Sequence, residues 1–133
     1  LSDATVLDGM IGYREGRVDK NGDGKVDAWI GNNRIGSPLR VRLGVTQEFE
    51  NGWRARVEAL HLAGRDRAPG EIDLQSVNLV NASVSKQIGP GLFSVAVENL
   101  FDKGYANPTA TATRNVDSMG LGRTVTVGYR VSF

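Results

Sequence analysis

The sequence predicts an all-β chain: an antiparallel, up-and-down set of strands belonging to a transmembrane β-barrel. Three observations carry the prediction. Hydrophobicity repeats with a period of two along most of the chain, and a helical period is nearly absent. The alternating runs extend to about 12 residues, whereas strands of globular proteins average roughly 5–6. Tight turns also alternate with long polar connections, as they do on the two sides of a membrane barrel.

Six segments show the alternation. Residues 5–17 place Leu7, Ile11 and Tyr13 on one side. "PLRVRLGVTQEF" (38–49) sets Leu39, Val41, Leu43 and Val45 against Arg40, Arg42, Gly44 and Thr46. "GWRARVEALHL" (52–62) sets Trp53, Ala55, Val57 and Ala59 against Arg54, Arg56 and Glu58. Residues 75–88 carry Val80, Ala82 and Val84, and 92–101 set Phe93, Val95 and Val97 against Ser94, Ala96 and Glu98. The last, "GRTVTVGYRVSF" (122–133), puts Val125, Val127, Tyr129, Val131 and Phe133 opposite Thr124, Thr126, Gly128, Arg130 and Ser132. These six read as strands, and no helix is expected.

Twelve residues at about 3.3 Å each, tilted by about 45°, rise about 28 Å, close to the apolar band of an outer-membrane barrel. Arg40, Arg42, Arg54 and Arg56 occupy strand middles. A dry soluble core has no place for them, and a wet or plugged lumen does. Glu50-Asn51-Gly52 and Gly89-Pro90-Gly91 read as tight turns, whereas residues 18–36, 64–74 and 102–121 read as long loops. Strands ending at Phe49, Ile88 and Phe133 would then share one membrane interface, with Phe49, Trp53 and Phe133 in its aromatic girdle. A soluble β-sandwich or a lipocalin-like barrel is the competing architecture.

Composition narrows function mostly by exclusion. The chain has 133 residues and a net charge of +1, from 16 Lys and Arg against 15 Asp and Glu. It is long enough for one domain, and its charge gives no reason to expect nucleic acid. Cysteine is absent and His61 is the single histidine. No thiol nucleophile can exist, and a His-based zinc site or a Ser-His-Asp triad is hard to build. No enzyme is expected, and His61 is assigned no role. No apolar run reaches the roughly 20 residues of a membrane helix. A chain beginning at Leu1, without Met or a signal peptide, is expected to be processed or part of a longer one.

"VDKNGDGKVDAW" (18–29) spaces Asp19, Asn21, Asp23, the Lys25 carbonyl and Asp27 as the first oxygen ligands of a calcium loop. Ile30 stands where such a loop needs its bidentate Glu, and neither flank is helical. The alternative is a loop rich in Asx-Gly turns. If calcium binds, it pins a loop; no other cofactor is expected.

"VENLFDKGY" (97–105), a polar loop, and then "GRTVTVGYRVSF" (122–133) closing on an aromatic residue resemble the C-terminal end of a TonB-dependent outer-membrane receptor. In that family an "NLFDKxY" element ends the penultimate strand and "GRT" opens the last. Phe133 is similar to the terminal residue read by the barrel-assembly machinery. "GWRARVEAL" and "GRDR" (64–67) resemble late strands and loops of siderophore receptors, and "GLGRTVTVGYRVSF" (120–133) resembles hydroxamate receptors of the aerobactin type.

The resemblance implies about six C-terminal strands of a barrel of about 22, in the outer membrane of a Gram-negative bacterium. Six strands cannot close a membrane barrel, since the smallest have about 8. Residues 1–133 would thus be barrel alone, without the plug. Implied partners are the rest of the barrel and its plug, outer-membrane lipid, a ferric siderophore and, indirectly, the TonB energy system. Tyr13, Arg14, Trp29, Arg34, Arg65, Arg67, Tyr105 and Arg114 lie toward the long-loop side. Aromatic and guanidinium groups there suit a planar, charged chelate. For the arginine ladder (Arg14, Arg40, Arg42, Arg54, Arg56, Arg130), pairing with acids such as Glu58 and Glu98 is favoured over ligand attraction. The runner-up function is a soluble, surface-exposed β-domain binding module carrying the calcium loop.

Overall fold

The computed structural model describes residues 4–19, 21–26, 28–29, 37–65, 72–114 and 116–132, with 28–29 and 112–114 at the level of the backbone. The elements in chain order are β1 (Ala4–Tyr13), β2 (Arg17–Val18), β3 (Ala28–Trp29), β4 (Leu39–Glu48), β5 (Trp53–Leu62), β6 (Val77–Ile88), β7 (Gly91–Glu98), α1 (Pro108–Arg114) and β8 (Thr124–Val131). Among the described residues, six strands form one antiparallel sheet in the order β1-β4-β5-β6-β7-β8. The sheet is an open meander with β1 and β8 at its two edges. β2 and β3 form a separate two-stranded ribbon inside the first long connection.

The strands of the six-stranded sheet run to 8–12 residues, with β6 the longest. Both tight turns fall where expected. At the β4–β5 turn, the Gly52 amide donates to the Phe49 carbonyl at 2.9 Å. Gly52 has a φ of 79°, the left-handed residue that a three-residue hairpin loop requires. β6 and β7 join through two residues, Gly89 and Pro90, between the paired Ile88 and Gly91.

One expectation fails. Residues 102–121 hold a helix, α1, where only loop was expected. The Asn107 side-chain oxygen accepts from the amides of Thr109 (3.1 Å) and Ala110 (3.0 Å), and Pro108 opens the helix. An Asn cap followed by Pro at the first helical position is a helix start. Its seven residues carry no apolar stripe, so hydrophobic periodicity gives no sign of it.

The register gathers most of the β-branched side chains of the six strands on one face. Leu7, Val45, Val57, Ala82, Val97 and Val125 line up in one row across the sheet. Yet this face is uncovered within the chain: Leu7 and Ile11 are each 75% exposed, and Val127 is 65% exposed. The buried apolar side chains among the described residues are Leu74, Val77 and Leu79. Val77 and Leu79 lie toward the long-loop end on the opposite, polar face, where Leu79 pairs with Leu60. An ordinary soluble sheet buries its apolar side and wets the other; here the apolar side is bare.

Candidate functional site

The polar face carries a ladder of charges. Arg56 on β5 reaches across β4 to β1, donating twice to the Asp8 carboxylate, at 2.5 and 2.9 Å. It also donates to the Thr46 hydroxyl at 2.9 Å and pairs with Glu58 at 3.1 Å. Arg42 stands 3.9 Å from the same Glu58, and Arg54 pairs with Glu48. Asp8 and Glu58 flank Gly44 in register, and the Arg56 guanidinium passes directly over that glycine. Of the acids expected to meet the ladder, Glu58 does so. Asp8 and Glu48 are further partners that sequence reading missed, because Asp8 is 48 residues from Arg56. The Arg40 Nε is buried and has no hydrogen-bond partner among the described residues.

The long-loop end is built around "NLFDKGY". Asn99 is buried at a φ of 50°. Its amide nitrogen donates to the carbonyls of Lys103 (2.9 Å) and Leu121 (3.2 Å), and its side-chain oxygen accepts from the Lys103 amide at 2.9 Å. The Asn99 backbone amide donates to the Asn81 side chain at 3.0 Å, tying the loop to β6. Asp102, at a φ of 51°, accepts from the Arg123 amide at 2.7 Å, and the Arg123 guanidinium stands 3.8 Å from its carboxylate. The two motifs are thus one device: the first holds the loop, and "GRT" is clipped to it where β8 begins.

Tyr105 lies directly against Gly120 and lines a cavity of about 230 Å³ with Leu60, Leu79, Asn81, Glu98 and Leu121. Here it shapes the loop. Tyr13, at the end of β1, donates to Glu15 at 2.7 Å, and the Arg14 amide bonds the Pro38 carbonyl at 2.8 Å. Arg65 forms a β-bridge with Leu74. Tyr13, Arg14, Arg65 and Tyr105 all sit at the long-loop end but do not form one cluster. The β1 and β7 ends stand four strand spacings apart, about 19 Å at roughly 4.8 Å each. The side chains of Trp29 in β3 and Arg114 in α1, together with Arg34 and Arg67, lie outside the described residues.

In the Asp/Asn/Gly loop, the Asp19 carboxylate accepts from the amides of Gly22 (2.7 Å), Gly24 (2.7 Å) and Asp23 (3.2 Å). Asn21 donates to Asp23 at 3.1 Å, and the Lys25 amide donates to Asp23 at 2.8 Å. These are the bonds of stacked Asx turns. The Gly24 amide, first among these donors, holds the Asp19 carboxyl below its ordinary pKa. Asp27 and Phe133 lie outside the described residues. Among the described residues, no three His, Asp or Glu side chains converge as a metal cluster.

At the tight-turn end, Trp53, Lys86, Phe93 and Tyr129 form a row across the apolar face. The Lys86 ammonium sits 5.2 Å from the Trp53 ring centre, and the Tyr129 hydroxyl donates to the Ile88 carbonyl at 2.7 Å. No family model matches the chain, and no solved structure matches it.

Proposed function

We propose that this chain supplies the closing strands of a TonB-dependent outer-membrane receptor that takes up an iron chelate of the ferric siderophore class. The observation that carries the reading is the polarity of the sheet. A continuous apolar face is bare, the opposite face carries an Arg–carboxylate ladder, and tight turns and long loops segregate to opposite ends. Strands of 10 residues at about 3.3 Å, tilted about 40°, rise about 25 Å, the height of a barrel's lipid-facing band. In water, an apolar patch of this extent is a liability; against lipid tails it is the expected surface.

The free edges at β1 and β8 support pairing with further strands of the same barrel, since unpaired backbone in lipid costs several kcal/mol per group. The polar face then looks into the lumen. There the Arg40 Nε, without a partner among the described residues, is suited to a group from outside this chain, such as the plug. The process is transport, with no covalent step.

The reading predicts that the purified protein needs detergent and aggregates when it is removed. A monodisperse monomer in plain buffer would overturn the membrane assignment and favour a soluble binding module. For the cargo, the assembled receptor is titrated with a panel of ferric siderophores, hydroxamates first. Binding of cobalamin or a sugar, with no siderophore bound, overturns the iron assignment alone.

A further inference from the structure

We infer that Lys86 and Trp53 form a binding site for the phosphate of a bilayer glycerophospholipid, set at the tight-turn rim of the apolar face. The inference rests on the membrane reading above and adds a ligand to it. Among the described residues of the six-stranded sheet, Lys86 is the one Lys, Arg, Asp or Glu on that face; every other such residue of the sheet faces the polar side. Its position is not random within the band. The polar groups of the face stand near its two ends: Thr5 bonded to Gln47 toward the turns, and His61 2.6 Å from Asn78 toward the loops. Between them the rows are apolar. Lys86 falls in the row of Trp53, Phe93 and Tyr129, at the depth where aromatic rings meet headgroups.

Among the described residues the Lys86 ammonium has no carboxylate partner; its neighbour is the Trp53 ring, 5.2 Å from the nitrogen to the ring centre. An ammonium held over an indole keeps its other donors free, and a phosphate oxygen is the anion that a membrane brings to this depth. A headgroup can sit beside Lys86 while its acyl chains follow the valine rows of the same face. Arg54, next in the strand, is paired with Glu48 on the polar face, which leaves Lys86 as the anchor on the apolar one.

The test uses the whole protein in phosphatidylcholine vesicles carrying a small fraction of brominated phosphatidylglycerol or brominated phosphatidylcholine. Quenching of Trp53 is taken as the difference between the protein and its Trp53→Phe variant. The expected result is an apparent affinity about fivefold higher for the anionic lipid, the value of one cation at a lipid surface. Lys86→Gln should bring the ratio to near one, and Lys86→Arg should keep it. An unchanged preference in Lys86→Gln, with quenching still present, overturns the site and leaves the membrane reading intact. Absence of quenching by either lipid overturns both.

Discussion

A methyl group on Gly44 would stand 2.7 Å from the Arg56 Cζ and 2.8 Å from an Asp8 oxygen. Gly44→Val should therefore force Arg56 off Asp8 and lower the thermal midpoint of the refolded protein. Its β-sheet circular dichroism should be preserved, because β4 keeps its backbone register. Asn99 is a second point of concentrated effect. Asn99→Ala removes three side-chain hydrogen bonds and should cost about 3 kcal/mol at roughly 1 kcal/mol each, read from denaturant midpoints. Asp19 gives a pH signature. Its folded pKa is lowered from 3.8, so its stabilisation of the loop is present above that value and is lost as pH falls through the lower, folded one. Amide resonances of Gly22 and Gly24 should hold steady from neutral pH to about 4 and lose their hydrogen-bonded shifts in stronger acid. The Asx turns were legible because all their partners lie within five residues. The Arg56–Asp8 pair was not, since only the register of β1 on β4 and β4 on β5 brings them together.

At the scale of elements, alternation was a sufficient guide to the six long strands. A period of two places every second side chain on one face, whatever the partner strand turns out to be. It was insufficient for α1, whose start is a cap and a proline rather than a hydrophobic stripe, and for the short β2–β3 ribbon. The bare face yields the sharpest prediction at this scale. Val57 sits in the middle of β5 and points away from the arginine ladder. Val57→Arg should destabilise the protein in bilayers by about 2–4 kcal/mol, the cost of a cation near the midplane. An exposed position on a soluble domain would tolerate the same change within about 0.5 kcal/mol. Folding titrations in vesicles, compared with Thr126→Arg on the polar face of β8, separate the two cases.

At the scale of the whole molecule, the buried aliphatic side chains among the described residues, Leu74, Val77 and Leu79, do not make a core for six strands. What holds the sheet is its backbone ladder, its charge pairs and the loop clip at Asn99 and Asp102. The apolar face awaits lipid in the proposed reading, and the edge strands await neighbours. The sequence by itself determined the all-β class, the strand positions and the two-faced polarity, because each depends only on side-chain alternation and turn residues along the chain. Tertiary structure alone decided that the six strands form one open sheet in meander order, and which acids meet which arginines. It also decided that the two C-terminal motifs are halves of one clip and that Lys86 stands over Trp53. Those facts depend on register between strands, and register joins residues up to 48 positions apart that no local pattern relates.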